Sequence, residues 1–312
     1  MMEPKVVVLG SCMIDFSSYA PRLPMPGETL HGYKFIKGYG GKGANQCVAA
    51  TKLGSATSFI ARVGDDIFGE GYISHLKELG VGSTHLKKTP HISSGIAQIL
   101  VADSGENQIV IVGGANTLLS EDDVYEASQL IKSAPVLVCQ FEVPLNTTIK
   151  AVQMKRKEGK GISIVNGAPA ISNLDPALLE STDIFCVNEP EAELLTGIQV
   201  DSIDAAGRAV KNLLKQGCQT AIVTVGSEGA VFSSKGDPSV IHVPTRKVQP
   251  LDTTGAGDAF IGALAFYIAN HPMLSLEEAI RRSCEIATIS VMKTGTQTSF
   301  PERHNLPDDL FR

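Results

Sequence analysis

Val6-Val7-Val8-Leu9-Gly10, followed by Ser11-Cys12-Met13-Ile14-Asp15, is the stretch that decides the fold. The run is apolar at every step and too short for a helix. Its lack of alternation means that both of its faces are covered, as in a buried parallel strand. Similar runs recur at Ser58–Gly64, Val136–Glu142, Ile162–Asn166, Ile184–Asn188 and Ala221–Gly226. Helical patterns lie among them at Ala44–Leu53, Gly69–Leu79, Glu121–Lys132, Thr147–Lys157 and Ser202–Gln216, with Ala256–Asn270 and Ser275–Met292 at the end. Ser275-Leu276-Glu277-Glu278 opens the last with a capping serine and early acids that suit the helix dipole. This alternation specifies a three-layer, doubly wound α/β fold whose mainly parallel sheet is covered by helices on both sides.

Two stretches, Glu28–Gly38 and Ser93–Val112, break the pattern. They are extended, polar and rich in Gly and β-branched residues, and Asp103-Ser104-Gly105-Glu106-Asn107 reads as a hairpin turn. They are expected to form a small β-sheet lid at the carboxyl edge of the main strands, over a ligand crevice. Residues 1–14, 41–91 and 117–312 then make the α/β core, and 15–40 and 92–116 a discontinuous lid. A chain of 312 residues suits one large unit of this kind.

Composition narrows the function. Hydrophobic content of 43% supports a sizeable core, while a net charge of -6 and a pI near 5.7 argue against nucleic acid as a partner. Cys12, Cys47, Cys139, Cys186, Cys218 and Cys284 are scattered without a C-x-x-C pair and read as buried, reduced thiols. Met1-Met2-Glu3-Pro4-Lys5 and the short apolar run after it are not a signal peptide, and no apolar run reaches membrane-spanning length. A cytoplasmic protein is expected, with nuclear residence left open and no membrane partner.

The chemistry concentrates at Asp252-Thr253-Thr254-Gly255-Ala256-Gly257-Asp258, which runs straight into Ala259-Phe260-Ile261-Gly262-Ala263-Leu264. Glycines ahead of a buried helix leave bare amides, which favour phosphate. A carboxylate inside that anion site repels the anion and makes no structural sense. It does make sense as a base that takes a proton from a hydroxyl attacking a phosphoryl group.

Gly38-Tyr39-Gly40-Gly41-Lys42-Gly43 matches G-x-G-x-x-G, the dinucleotide-binding pattern. Its context fails, because the preceding Thr29–Lys37 alternates polar and apolar instead of running apolar. Gly40–Asn45 reads either as a turn and helix cap or as a surface on which Gly41 and Gly43 bare the backbone and Asn45 offers its amide to hydroxyls. Asp15 and Glu142 follow strand ends. Each is either an exposed loop acid or a carboxylate facing the crevice. Asn188-Glu189-Pro190-Glu191 is either a helix cap or an oxygen set suited to Mg²⁺ through water. Thr224-Val225-Gly226-Ser227-Glu228-Gly229 is either a hairpin turn or a cradle for a nucleotide. All of these fall at the same edge of the expected sheet.

Taken in order, these motifs resemble the ribokinase family of carbohydrate kinases over essentially the whole chain. Gly40–Gln46 and Asp252–Asp258 are its strongest pieces. The terminal Gly295-Thr296-Gln297-Thr298-Ser299-Phe300-Pro301 is typical of the ribose-specific branch. The resemblance implies ATP-dependent phosphorylation of the 5-hydroxyl of D-ribose. Asp258 matches the base, and the amides of Gly255, Ala256 and Gly257 match the anion hole. Asp15, Gly41, Lys42, Gly43, Asn45 and Glu142 match the sugar site with Asp258. Asn188, Thr224, Gly226, Ser227, Gly229, Gly257 and Cys284 match the ATP site, and Asn188 and Glu191 the motif associated with Mg²⁺. Asp252, Thr254, Ser290, Lys293, Gly295 and Ser299 match a K⁺ site, mostly through carbonyl oxygens, with the Lys293 side chain pointing away. Cys284 departs from the asparagine common beside the adenine in this family.

The helix start is expected to lower the Asp258 pKa. A homodimer through the lid is implied, and the apolar Ile96, Ile99 and Val101 suit a face that needs a partner. Fructose, adenosine or a sugar phosphate remain alternative acceptors. Few aromatics and no Trp count against adenosine, whereas Arg22, Lys34, Lys37, Lys87 and Lys88 would suit a sugar phosphate. A non-catalytic sugar sensor would have lost Asp258 or the glycines, and both are present.

Overall fold

β1 (Val6–Leu9) lies inside a nine-stranded sheet, and its side chains alternate between two cores. Val6 and Val8 enter one, Val7 and Leu9 the other, which is why every position in the run is apolar. The computed structural model describes residues 3–312; Met1 and Met2, which begin the leading stretch, lie outside the described residues. In chain order the other strands are β2 (Met13–Ala20), β3 (Lys34–Gly40), β4 (Thr57–Gly64), β5 (Leu86–Thr89), β6 (Gly95–Ala102) and β7 (Asn107–Val112). Then follow β8 (Val136–Cys139), β9 (Ile162–Asn166), β10 (Ile184–Val187), β11 (Thr220–Thr224), β12 (Ala230–Ser234) and β13 (Asp237–Val243). The helices are α1 (Lys42–Lys52), α2 (Ile67–Glu78), α3 (Glu121–Glu126), α4 (Ser128–Ser133), α5 (Leu145–Glu158), α6 (Pro176–Ser181), α7 (Glu189–Thr196), α8 (Ile203–Gln216), α9 (Ala256–Asn270) and α10 (Leu276–Ser290).

The large sheet runs β13-β12-β11-β10-β9-β8-β1-β4-β5, parallel except for the last two strands at the β13 edge. One core lies under α1, α9 and α10, the other under α5 and α8. From β1 the chain moves to β4 on one side and later returns to β8 on the other, so the order reverses between β1 and β8. Such a reversal opens a crevice at the carboxyl ends of the strands.

A second sheet, β3-β2-β6-β7, carries the hairpin expected around Asp103–Asn107. Its strand β2 was not anticipated, and Asp15 is therefore not a loop residue but part of β2, opposite Gly38 and Ala97. Three further expectations are corrected. The helix expected over Glu121–Lys132 is two short helices broken at Ala127. The strand expected to Gly226 stops at Thr224, and Gly226–Glu228 forms a tight 3-10 turn instead. The strand expected to Glu142 ends at Cys139, so Glu142 reaches the crevice from the following loop.

Candidate active site

The crevice between β1 and β8 is closed by a carboxylate. Glu142 Oε2 accepts from Ser11 Oγ at 2.5 Å and from the backbone N–H of Lys42 at 2.8 Å. The second bond places the carboxylate on the free amides at the start of α1, where helix partial charge favours it. Gly41 and Gly43 meet a packing requirement. A side chain at Gly41 would come within 2.8 Å of Met13 N, and one at Gly43 within 2.5 Å of Ser11 N. Both glycines let α1 start directly against the chain leaving β1.

α1 then presents two amides to α9. Asn45 Nδ2 donates to Asp258 Oδ2 and Gln46 Nε2 to Asp258 Oδ1, each at 2.9 Å. Hydrogen bonds to a charged acceptor are worth about 1.5–3 kcal/mol each, so this carboxylate is firmly oriented. Asp258 is the third residue of α9 and only 7% exposed. Gly255 precedes the helix with a left-handed φ of 77°, and a side chain there would strike Thr296 at 2.6 Å. The Ala256 amide already donates to Thr253 O at 3.2 Å. The expected anion hole therefore has one amide engaged, while those of Gly255, Gly257 and Asp258 have no acceptor among the described residues. Space beside Gly257 is open, since a side chain built there meets nothing within 4 Å.

Burial raises the Asp258 pKa above the ordinary aspartate value, against the pull of Lys42, Asn45 and Gln46. The direction is opposite to the lowering expected at a helix start, because desolvating the carboxylate outweighs the Lys42 charge and the amide donors. Asp15 is pushed up to about 7, first by burial and then by Glu142 and Asp258. Its carboxylate has no hydrogen-bond partner among the described residues. Burial opposes the Lys42 charge, but Asp258, Glu142 and Glu191 outweigh it and raise the lysine pKa. Asp15, Glu142, Asp258 and Lys42 are thereby one electrostatic cluster.

On the other side of the crevice, Asn188 caps α7. Asn188 Oδ1 accepts from Glu191 N, and Glu191 Oε2 accepts from Asn188 N, both at 2.9 Å. Glu191 keeps Oε1 without a protein partner, a donor that suits hydrated Mg²⁺. Among the described residues no group of three His, Cys, Asp or Glu gathers as a metal cage. Thr224 Oγ1 donates to Val187 O at 3.4 Å, and Gly226 and Ser227 are exposed in the turn that follows. Gly229 is buried, with its φ of 97°. Cys284 lies in the core between α9 and α10 at 5% exposure, its thiol pushed up to about 12 by burial. Its burial and raised pKa make it an apolar group, in keeping with its departure from the asparagine of the family pattern.

Asp252 accepts from Thr254 N through Oδ1 and from Gly295 N through Oδ2, each at 2.9 Å. Burial works against its charge, but these hydrogen bonds outweigh it and hold the carboxyl below its ordinary range. Ser290 and Ser299 are buried, and Lys293 is exposed. Five residues of the polar network, Gln297, Gln140, Gln46, Asn166 and Ser11, were not singled out from the sequence. Gln297 Nε2 donates to Asn45 Oδ1 at 3.0 Å, Gln140 Nε2 to Gln46 Oε1 at 2.6 Å, Gln46 Nε2 also to Asn166 Oδ1 at 3.1 Å, and Ser11 serves Glu142. Gln46 and Gln297 stood inside quoted motifs, but nothing in their spacing marked them. A cavity of about 640 Å³ lined by Lys52, Arg303 and Phe311 holds none of the residues above.

The model described as pfkB family carbohydrate kinase matches residues 3–303. The chain is 46% identical to a mouse (Mus musculus) ribokinase over 306 residues, 98% of this chain and 94% of that protein. It is 40% identical to a Salmonella typhi deoxyribokinase over 95% of each chain. An Arabidopsis thaliana ribokinase solved with ribose and ATP superimposes with a TM-score of 0.88 at 30% identity, covering 97% of each.

Proposed function

The chain belongs to the pfkB family of carbohydrate kinases, and from that membership we propose that it is a ribokinase, transferring the γ-phosphoryl group of ATP to the 5-hydroxyl of D-ribose. The observation that carries the chemistry is Asp258, buried at the start of α9 with both carboxylate oxygens held by α1 amides. The similarity to ribokinases along nearly the whole chain carries the choice of sugar. A second reading, 2-deoxyribose as acceptor, is favoured by the deoxyribokinase likeness.

In this reading Asp15, Asn45, Glu142 and Lys42 bind the sugar, with Gly41 and Gly43 shaping the turn beneath it. Asp258 accepts the proton of the 5-hydroxyl as its oxygen bonds to phosphorus and the bond to the ADP oxygen breaks. The products are D-ribose 5-phosphate and ADP. Because phosphoryl transfer passes through a loose transition state, a strong base is not required, and orientation and charge stabilisation dominate. The amides of Gly255 and Gly257, and Lys42, meet charge on the transferred group. Asn188, Thr224, Gly226, Ser227 and Gly229 flank the nucleotide, with Cys284 as wall. Glu191 would hold a hydrated Mg²⁺, which neutralises phosphate charge when bound.

Asp252 with carbonyls of Thr254, Ser290, Lys293, Gly295 and Ser299 would hold K⁺, whose role is to stiffen the loop before α9. Residues 1–14, 41–91 and 117–312 act as the core and 15–40 with 92–116 as the lid, through which two copies pair. The six free, buried thiols suit a reducing, cytoplasmic setting.

ADP release is the test, measured with ATP, Mg²⁺ and K⁺ across ribose, 2-deoxyribose, fructose, ribose 5-phosphate and adenosine. Selective release with ribose is the expected result. Release as fast or faster with another acceptor overturns the sugar assignment.

A further inference from the structure

An amide side chain is nearly symmetric in shape, so which end of Asn45 faces Asp258 is set by its other partners. With Nδ2 turned to Asp258 it donates; turned round, Oδ1 would confront a carboxylate. The Asn45 orientation is traceable to a backbone group. Gly40 O can only accept, and Tyr72 OH donates to it at 2.6 Å. The Tyr72 oxygen is then an acceptor, and Gln297 Nε2 donates to it at 3.0 Å. The same Gln297 nitrogen donates to Asn45 Oδ1 at 3.0 Å, which leaves Asn45 Nδ2 for Asp258. At the far end of the carboxamide, Gln297 Oε1 faces His75 Nε2 at 2.9 Å, and His75 stacks on Tyr39 of the small sheet.

The chain of bonds from Gly40 to Asp258 is buried. Gln297 and Asn45 are each 5% exposed and Tyr72 is 1% exposed. The Gln297 backbone is fixed as well, since Lys52 Nζ donates to Gln297 O at 2.8 Å and Phe300 O at 3.2 Å. Lys52 ends the same helix whose first turns carry Asn45. The 295–300 segment is thus tied to both ends of α1.

We infer that Gln297 is a positioning residue that fixes the direction of the Asn45 amide toward Asp258 and so couples the segment after α10 to the reacting carboxylate. This rests on the kinase reading above. Gln297 touches neither sugar nor nucleotide in that reading. It acts through Asn45.

Gln297→Glu keeps the shape and replaces the donor with an acceptor. Asn45 then turns, and Asp258 must take up a proton to meet Asn45 Oδ1. The expected result is a kcat lower by about tenfold to a hundredfold, with the acid limb of the kcat profile moved up by about half a pH unit or more. Lys42, Glu142, Asp15 and Glu191 also face Asp258, and His75 faces Gln297. All of these are unchanged in the variant. Gln297→Met removes the donor without adding charge. It is expected to raise the ribose KM about threefold to tenfold while leaving the acid limb in place.

Rates are normalised to folded protein, and Tyr72→Phe, which keeps the ring but frees Gln297 to turn, replaces Q297E if the latter does not fold. It is expected to raise the ribose KM like Q297M. An acid limb unmoved in Q297E, or a ribose KM within about twofold of the parent in Q297M and Y72F, overturns the inference. The parent protein's own activity on ribose, run beside them, tests the kinase reading separately.

Discussion

Asp252 Oδ2 accepts the backbone N–H of Gly295 at 2.9 Å, joining the loop before α9 to a segment 43 residues later. The same carboxylate holds Thr254 N at 2.9 Å, so it fixes the approach to the anion site from one side and the chain after α10 from the other. Gly255 packs against Thr296 of that same segment. Whatever orders residues 290–299 therefore orders the start of α9.

K⁺ in place of Na⁺ is expected to raise kcat several-fold, and Asp252→Asn is expected to abolish that difference. The variant keeps the size of the side chain but replaces one accepting oxygen with a donor facing an amide. The check is a rate titration with each cation at constant ionic strength. A flat response in the parent protein removes the cation site.

Asp258→Asn is expected to lower kcat by about 10²–10⁴, the range for loss of a positioned base. Ribose should still bind, because Asp15, Asn45 and Glu142 are intact. Calorimetric titration with ribose, alongside turnover, separates the two effects. A kcat near that of the parent would falsify the assignment of Asp258.

Burial, with Glu142 and Asp258, pushes the Asp15 carboxyl up to about 7 in the folded protein, against 3.8 for an ordinary aspartate. Between these values the folded chain holds a proton that the unfolded chain has released. Stability therefore falls as pH rises through this window and is flat above it. Asp15→Asn removes that cost, so its advantage in Tm over the parent should grow from pH 5 to pH 8, reaching about 2 °C or more. In the parent, ribose KM should rise as pH falls through about 7, because a protonated Asp15 accepts fewer hydroxyl hydrogen bonds. A KM independent of pH across this window separates Asp15 from sugar binding.

β7 leaves Ile109, Val110, Ile111 and Val112 each more than half exposed, and Phe35 on β3 is 60% exposed. An apolar surface of this kind on a sheet edge calls for a partner strand. The parent protein is expected to be a dimer at micromolar concentration, and Val110→Asp a monomer. Light scattering after gel filtration distinguishes them. A monomeric parent excludes pairing through the lid.

Much of the fold was legible because its signals are local. Val6–Leu9 is apolar at each position since each side of a central parallel strand meets a core. The α9 start was legible because glycines followed by an apolar run have few other uses. β2 was missed, since Met13–Ala20 is half polar and only pairing with β3 and β6 makes it a strand. The break at Ala127 was missed as well, because the helical pattern continues through it.

The sequence by itself determined the doubly wound core, the order of its motifs and the Asp258 helix start, because periodicity and glycine placement are written in neighbouring residues, while Asp15 and Glu142 were joined to Asp258 only by the family resemblance. Only the tertiary structure decided which carboxylates are desolvated and which way the hydrogen bonds run. Asp258 sits above its ordinary pKa because burial costs more than Lys42, Asn45 and Gln46 return, a balance set by what packs around it. Gln297 meets Asn45 across 252 residues, and a contact at that separation leaves no periodic trace along the chain.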